Sequence, residues 1–290
     1  MTTRIVCWNI AGRKAPWEQL VEMDADVALL QEALTPHLRR RGEIPEEHWN
    51  SHCWNSDWYK ARWPHLTDRW PAVVRLSERV EVDWFKQVFP ISETNADWFP
   101  VSGIGTVAAA RVTPLRDQIP PFLVVSMYAR WIAPHTSTGS KWRVGYADGS
   151  AHRIISDLSA FIGDVDPSSH RILAAGDLNT IHGVKDSPDW NTARDRSIWD
   201  RMDALGLEFL GPQAPNGRKA APRPDFMPLD TKNVVTFDTS GGKSPATADR
   251  QLDYAFASRG FHEKVRACAL NSIEDWGASD HCRLLIEVDG

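Results

Sequence analysis

Several polar side chains with the chemistry of acids, bases or metal ligands stand at intervals along the chain. Carboxylate and amide oxygens, such as those of Glu32 and Asn9, are hard ligands that suit Mg²⁺ or Mn²⁺ far better than the soft ligands of zinc sites do. A histidine such as His281 exchanges a proton near neutral pH and can act as a general acid or base. The candidate set comprises Asn9, Glu32, Tyr128, Asp177, Asn179, Asp253, Asp280 and His281. These residue types predict a hard divalent cation with acid–base groups beside it.

Each of these residues also has an ordinary structural interpretation when it is taken alone. Asn9 can cap a turn, Glu32 can cap a helix, and a histidine such as His281 is often a hydrogen-bonded residue of the interior. The joint pattern favours function, because the polar residues recur where apolar strand-like runs begin or end. Ends of sheet strands are where folds commonly place their chemistry.

Short apolar runs typical of buried strands must position these polar residues. The predicted strands that end at or just before a candidate residue cover residues 4–10, 26–31, 121–128 and 171–175. Further strands are predicted over residues 72–76, 80–85, 105–112, 234–237, 252–257, 265–270 and 283–288. We expect these runs to lie in sheets whose edges carry the polar residues.

Three helices are predicted between the strands. The first runs from Pro16 to about Met23, the second has Ser150 as its N-cap and ends near Gly163, and the third covers residues 195–205. Residues 211–233 are rich in proline and basic side chains and are predicted to form a surface loop. Many strands with few helices favour a mixed α/β sandwich, because strict alternation of strand and helix is absent.

Composition limits the classes of function. The chain has 290 residues with a formal net charge of −5. A protein that binds nucleic acid by charge alone would be basic, so this chain must neutralise any bound phosphate locally, with a few cations or a metal. No apolar run of about 18 residues is present, and the four cysteines show no CxxC spacing. We expect a cytoplasmic location, free buried thiols, no membrane partner and no obligate protein partner.

Tryptophan is unusually abundant, with 14 in the chain, and five of them cluster in one segment: Trp49, Trp54, Trp58, Trp63 and Trp70. The segment is interpreted as an insertion at about 33–70. Large aromatic side chains can fill a core or pin a long loop. Interleaved with cations, as they are here, they can also form a surface on which bases stack. Both interpretations of the insertion stay open.

Six short segments, taken together, resemble the endonuclease/exonuclease/phosphatase superfamily. The matching segments are Cys7-Trp8-Asn9-Ile10, Leu30-Gln31-Glu32, Ser126-Met127-Tyr128, Gly176-Asp177-Leu178-Asn179, Gln251-Leu252-Asp253-Tyr254 and Ser279-Asp280-His281. They occur in the order found in that superfamily and span almost the whole chain. The resemblance implies an α/β fold, a four-layer sandwich of two mixed β-sheets flanked by helices, formed as one domain over residues 1–290.

The resemblance also implies a distinct role for each candidate residue. Phosphoryl transfer needs an in-line water, neutralisation of charge on the phosphate oxygens and help for the leaving oxygen. Asp177 would position or deprotonate the water, and Asn179 would hold that water and a phosphate oxygen. Tyr128 would donate a hydrogen bond to the phosphate. Asp253 would orient the imidazole of His281, and the resemblance leaves open whether Asp177 or His281 is the base or whether the imidazolium binds phosphate.

The implied metal is Mg²⁺ or Mn²⁺, held by Glu32 and Asn9 with Asp280 as a further ligand or supporting group. One position departs from the superfamily pattern. Ala11 stands where some members, including apurinic endonucleases, carry an acidic residue that helps to bind the metal. The departure weakens an abasic-site repair interpretation and favours a metal held mainly by Glu32.

Two further residues are candidates for substrate binding. Arg130 lies two positions after Tyr128, so alternation in a continuing strand would place both on one face; a surface ion pair is the alternative. His152 would lie in the first turn of the second helix, where an anion is favoured; the alternative is a solvated helix face.

Three functions are compatible with this sequence. The first is a metal-dependent phosphodiesterase acting on nucleic acid, that is, a nuclease. The second is a phosphatase or phosphodiesterase acting on a small nucleotide, sugar or inositol phosphate, which the net acidity favours. The third is a non-enzymatic binding module, which would be marked by loss of Glu32, Asp177 or His281; all three residues are present.

Overall fold

A computed structural model describes most of the chain. The described residues are 2–33, 44, 48, 70–88, 98–101, 106–115, 119–131, 135–139, 147–162, 166, 169–186, 192–238 and 244–290. Most of the predicted insertion at 33–70 lies outside this set, and so do four of its five tryptophans. Its proposed roles in packing or stacking therefore stay predictions.

Thirteen strands and three α-helices form the described structure. The helices are α1 (Ala15–Glu22), α2 (Asp148–Leu158) and α3 (Thr192–Ala204). The strands are β1 (Thr2–Asn9), β2 (Val27–Ala33), β3 (Trp70–Arg75), β4 (Val80–Trp84), β5 (Lys86–Val88), β6 (Trp98–Pro100), β7 (Val107–Pro114), β8 (Phe122–Tyr128), β9 (Ile172–Asp177), β10 (Leu207–Gly211), β11 (Asp253–Ser258), β12 (Val265–Leu270) and β13 (Arg283–Asp289).

Two mixed sheets contain eleven of these strands. The first sheet has the order β12-β13-β1-β2-β3, and its β1 and β2 run parallel while the other pairs are antiparallel. The second has the order β10-β11-β9-β8-β7-β4, and only β8 and β9 in it are parallel. Strands β5 and β6 form a separate parallel pair.

Alternation along β1 shows how the layers are built. Ile5 and Cys7 belong to the core shared by both sheets, whereas Val6 and Trp8 pack with Trp17 of α1 on the outer face. Because successive side chains point to opposite faces, a strand buried on both sides reads as one continuous apolar run. This explains why β1 is recognisable in the sequence.

The second sheet has the same two-sided burial. Leu173 faces the core between the sheets, and Ala174 packs outward with Ile154 and Ile155 of α2 and Ile198 of α3. Helix α1 therefore covers one sheet, and α2 and α3 cover the other. The predicted four-layer sandwich of two mixed sheets flanked by helices is confirmed.

Two local predictions were wrong. Helix α2 begins at Asp148 and its cap residue Ala147 makes no side-chain capping bond; the Ser150 hydroxyl instead accepts the backbone N–H of Arg130 at 3.0 Å. Residues 234–237 form no strand. The N–H of Val234 donates to the Gln251 side chain at 3.0 Å, so that backbone is held by single partners rather than by a ladder. Among the described helices, none is long and apolar enough to cross a membrane.

Gly176 is required by close packing of β9 against β8. A Cβ at this position would overlap the carbonyl oxygen of Met127 and lie 2.7 Å from its carbonyl carbon. Real Cβ atoms do not approach backbone so closely, so a side chain would push the two strands apart. The contact matters for function because Asp177 is the next residue.

We predict that Gly176→Ala lowers the free energy of unfolding by roughly 3 kcal/mol or more, because backbone cannot yield as a flexible side chain can. The matched control is Gly183→Ala, where no atom lies within 4 Å of the added carbon and only the positive φ of 68° opposes the change. That control should cost roughly 1 kcal/mol. Urea denaturation measures both, and equal losses would contradict the packing argument.

Candidate active site

The ends of adjacent strands bring the candidate residues to one edge of the sandwich. In the second sheet, Asp177 is paired in register with Tyr128 on one side and with Asp253 on the other. In the first sheet, Asn9 is paired with Gln31, so Glu32 comes one residue later on the neighbouring strand. Strand register therefore gathers residues that are far apart in sequence.

A bulge in β2 determines the position of Glu32. The register with β3 shifts between Leu30 and Ala33, and Glu32 has a φ of 51°. A bulge re-aims a side chain that would otherwise follow the alternation of the strand. The Glu32 carboxylate accepts hydrogen bonds from the Tyr128 hydroxyl at 3.1 Å and from the Asn9 amide at 3.3 Å.

Asn9 is a bridge between two carboxylates. Its Nδ2 donates to Oδ2 of Asp177 at 2.9 Å as well as to Glu32, and its Oδ1 accepts the N–H of Ala11 at 3.0 Å. The amide thus presents its donor, not its oxygen, to the acidic side of the site. A ligand role for Asn9 would need the amide to rotate, and it stays a prediction.

Two carboxylates flank the imidazole of His281. Its Nδ1 lies 2.8 Å from Oδ2 of Asp253, so this nitrogen is the donor, and its Nε2 lies 3.9 Å from Oδ2 of Asp177. All three side chains are buried. The Phe237 ring packs against the imidazole with centroids 4.7 Å apart, and the Trp8 indole N–H donates to the His281 carbonyl at 2.9 Å.

Burial and charge set the protonation states of this trio. Burial lowers the pKa of His281, but the charge and hydrogen bond of Asp253 outweigh it and raise that pKa to about 10. Burial raises the pKa of Asp177 to about 7, against the lowering effect of the His281 charge. At neutral pH the imidazole is therefore a proton donor, and Asp177 titrates near the operating pH.

Asn179 holds Asp177 in place. Its backbone N–H donates to Oδ1 of Asp177 at 2.8 Å, and its Nδ2 donates to Oδ2 of Asp177 and to the carbonyl of Ala129, both at 3.0 Å. The Asn179 side chain therefore joins the end of β9 to the segment that follows β8. Its predicted contact with water and phosphate is not tested by these bonds.

Tyr128 and Arg130 lie together at the end of β8. Burial, followed by the negative charges of Glu32 and Asp177, raises the pKa of the Tyr128 hydroxyl, and Arg130 opposes that rise. Tyr128 is thus a hydrogen-bond donor at all ordinary pH values. Arg130 lies beyond the end of the strand, so the alternation argument for it was wrong, although its charge acts on the Tyr128 hydroxyl.

Asp280 and His152 have different surroundings. Oδ1 of Asp280 accepts the Ser279 hydroxyl at 3.2 Å, and its Oδ2 lies 3.6 Å from Arg13. His152 contacts Ser197 and Arg201 of α3, at 3.0 and 2.9 Å, so its ring faces α3 rather than the strand ends. Because α2 begins at Asp148, His152 lies in the second turn and the helix-terminus argument for it was wrong. Its substrate role stays a prediction.

Backbone strain is concentrated at the site. Among the described residues other than glycine, those with a positive φ are Ala11, Glu32 and Asn179, with values of 51°, 51° and 49°. Such left-handed conformations cost roughly 1–2 kcal/mol each and persist only where the surroundings impose them. Ala11 has no side-chain amide or carboxylate to stabilise this conformation.

Sequence reasoning missed Thr236, a fully buried residue that joins the segments carrying Asp253 and His281. Its hydroxyl accepts the N–H groups of Leu252 and Asp253 at 2.9 and 3.1 Å, and its carbonyl accepts the N–H of Cys282 at 2.8 Å. The apolar run around it predicts a strand, and that pattern gives the hydroxyl no separate role. A lone polar residue in such a run was the available signal.

The donor set fits a hard divalent cation held loosely. The described residues contain no group of three or more His, Cys, Asp or Glu side chains arranged to hold a metal ion. Mg²⁺ commonly binds one or two carboxylates and takes its other ligands from water and substrate phosphate. The half-buried Glu32 carboxylate meets that need.

Comparison with known proteins agrees with the fold. A family model described as the Endonuclease/Exonuclease/phosphatase family matches residues 6–281. The catalytic domain of APE2 from Xenopus laevis is similar in structure, with a TM-score of 0.61 and 17 % identity over 99 % of this chain and 94 % of that chain. A search of curated proteins found no match.

Two other solved structures are similar over the whole of this chain. The endonuclease domain of TRAS1, a telomere-specific non-LTR retrotransposon, has 16 % identity, 99 % coverage of its own chain and a TM-score of 0.56. An AP endonuclease from Leishmania major has 14 % identity, 88 % coverage of its own chain and the same TM-score. At these identities the structural likeness establishes the fold alone.

We predict that His281 in the metal-free protein titrates with a midpoint near pH 10 and that Asp253→Asn lowers the midpoint by roughly 2 pH units. Because the folded-state pKa exceeds the ordinary value of 6.5, the stabilisation is complete below that pH and is lost as the pH rises toward 10. Nitrogen chemical shifts of the imidazole measure the midpoint. A wild-type midpoint near 6.5 would refute the paired arrangement.

Proposed function

Because the chain belongs to the endonuclease/exonuclease/phosphatase family, we propose that it is a divalent-metal-dependent phosphodiesterase that hydrolyses nucleic acid. The observation that carries the proposal is the buried alignment of Asp253, His281 and Asp177, with Glu32 joined to it through the Asn9 amide. This arrangement places a proton donor, a proton acceptor and a hard carboxylate in one connected group of side chains.

Asp177 is the proposed base. A water oxygen attacks phosphorus in line with the leaving oxygen, whose bond to phosphorus breaks, and Asp177 takes the proton that the water loses. The departing oxygen takes a proton from solvent. Its pKa of about 7 suits that task, because a base titrating near the operating pH balances availability against strength. Asn179 keeps the Asp177 carboxylate oriented through two hydrogen bonds.

His281 is proposed to act as an imidazolium. Its Nδ1 is bound to Asp253, which leaves Nε2 to donate to a non-bridging phosphate oxygen and to stabilise the charge that develops there. Tyr128, on the strand paired with Asp177 on its other side, is a second hydrogen-bond donor, and it is neutral. Glu32, with Asp280 as a further candidate, would hold the divalent cation, which when bound would polarise the phosphate as a Lewis acid.

A nucleic-acid substrate is favoured by the named activities of the structurally similar proteins. The similar structures include an AP endonuclease and the endonuclease domain of a telomere-specific non-LTR retrotransposon. Ala11 at the position of an acidic metal ligand still argues against abasic-site repair by this chain. A small phosphoester is the second candidate substrate, and the specific observation in its favour is the net charge of −5.

An activity panel tests the function and its metal dependence. We predict Mg²⁺- or Mn²⁺-dependent cleavage of DNA or RNA and of bis-p-nitrophenyl phosphate, all abolished by EDTA. In Glu32→Ala and Glu32→Gln, activity should be lost at low metal and partly restored at high metal, because the carboxylate that binds the ion is gone. The control is Glu81→Gln, an exposed carboxylate on β4.

Two results would refute parts of this proposal. Full activity of Glu32→Ala at low Mg²⁺ would remove Glu32 from the metal site. Phosphate release from a nucleotide or sugar monophosphate, with polymers left intact, would replace the nuclease by a phosphatase.

We also predict that Asp177→Asn and His281→Ala each reduce kcat at least ~100-fold, because one removes the base and the other the donor to phosphate. Asp203→Asn on α3 is the control for a lost carboxylate. Near-ultraviolet circular dichroism checks that the variants fold. A folded variant of either kind with the wild-type rate would show that the residue has no such role.

A further inference from the structure

A cavity of about 280 Å³ lies between the loop of residues 211–233 and the strand ends. Its walls are mainly apolar, with two cations and several amide or hydroxyl groups at intervals. The lining includes Ile181, Lys219, Ala220, Arg223, Met227 and Gln251. The cavity is called the flank cavity, and none of the candidate catalytic residues lines it.

The flank cavity adjoins the candidate active site. Three of its lining residues, Ile181, Val235 and Gln251, each lie two positions from a site residue: Asn179, Phe237 and Asp253, respectively. Phe237 packs against an apolar cluster that contains Ile181 and Met227, and its other contact is the His281 ring. One layer of side chains therefore separates the cavity from the imidazole.

The cavity walls are held by buried hydrogen bonds. Gln251, which is 2 % exposed, accepts the N–H of Val234 at 3.0 Å and donates to the Pro212 carbonyl at 2.8 Å. The Arg223 guanidinium donates to the carbonyls of Pro224 and Met227. A cavity whose walls are fixed in this way is preformed. Little of the binding free energy is therefore lost in ordering the cavity walls.

The lining has the chemistry that recognises a nucleotide. Ile181 and Met227 offer apolar side chains to a base, and Lys219 and Arg223 offer positive charge to a phosphate. Among the described residues no hydrogen bond or ion pair involves the exposed Lys219 ammonium. The Asp249 carboxylate also lines the cavity, where it would repel a phosphate but could accept a hydrogen bond from an exocyclic amine.

The size of the cavity limits it to a small ligand group. Pockets for drug-sized ligands begin at roughly 300 Å³, and the flank cavity has about 280 Å³. A free nucleotide and a nucleotide within a strand share this chemistry. The position distinguishes them, because the cavity is lined by residues of the same segments that carry Asn179, Phe237 and Asp253, which favours a nucleotide within a strand bound at the site.

We propose that the flank cavity binds the nucleotide next to the scissile phosphate, with its base against Ile181 and Met227 and its phosphate near Lys219 and Arg223. The proposal rests on the proposed function, since it presupposes a phosphoester held at His281. It assigns the loop of residues 211–233 to substrate selection, and it requires a substrate longer than a single phosphodiester group.

Charge removal and cavity filling test the proposal independently. Lys219→Gln removes a cation from the cavity, and Lys232→Gln removes one from an exposed position of the same loop outside it. Ala220→Phe places a ring in the cavity. The probes are a fluorescein-labelled single-stranded oligonucleotide, whose binding is followed by anisotropy in EDTA, the same oligonucleotide as substrate, and bis-p-nitrophenyl phosphate.

The cavity variants are expected to change oligonucleotide binding and to leave hydrolysis of the small substrate unchanged. Lys219→Gln should raise the oligonucleotide KM several-fold and reduce the slope of log Kd against log salt by about 1, whereas Lys232→Gln changes neither. Ala220→Phe should weaken oligonucleotide binding. Hydrolysis of bis-p-nitrophenyl phosphate should be unchanged in all three variants, because it has no flanking nucleotide.

Three outcomes would overturn the proposal: wild-type oligonucleotide binding by both Lys219→Gln and Ala220→Phe, an equal loss in Lys219→Gln and Lys232→Gln, or binding of a nucleoside monophosphate without binding of the oligonucleotide. Failure of the proposed function gives a different result. The wild-type protein would then cleave neither polymer nor bis-p-nitrophenyl phosphate, while binding in EDTA would still decide whether the cavity takes a nucleotide.

Discussion

The charge of His281 between the carboxylates of Asp253 and Asp177 is the interaction on which the rest of the site depends. All three side chains are buried, so their charges are weakly screened. Without the cation, two acidic groups would face each other away from water. With it, one positive charge lies between the two carboxylates and partly compensates both, and loss of one partner would leave another charge buried and unpaired. The protonation states of the site follow from this one arrangement.

The two sheets position the residues of that arrangement. Parallel pairing of β1 with β2 and of β8 with β9 brings strand ends to a common edge. A bulge then turns Glu32 toward Asn9 and Tyr128, and left-handed backbone at Ala11 and Asn179 completes the turns. The strain is offset by hydrogen bonds such as those from Asn179 to Asp177.

Much of the fold could be predicted because strands buried on both faces read as apolar runs and because the apolar residues of α2 follow helical spacing. Pro16 marked the start of α1, and Gly206 marked the end of α3. The failures have local physical causes. Residues 234–237 are apolar yet bond individually to the Gln251 side chain and to other single partners, and Ser150 lies inside α2, where its hydroxyl serves Arg130. In each case a hydrogen bond between a side chain and a backbone N–H from another part of the chain replaced the bond that the local pattern predicts.

The sequence by itself determined which chemical groups stand at the strand ends, and therefore the class of chemistry, because residue type and strand termination are local properties. Only the tertiary structure decided what those groups do to one another. It showed that Asn9 presents its nitrogen to Glu32 and Asp177, that Thr236 ties Asp253 to Cys282, and that His152 faces α3. Hydrogen-bond direction and pKa depend on distance and burial, and those arise only when segments far apart in the chain are packed together.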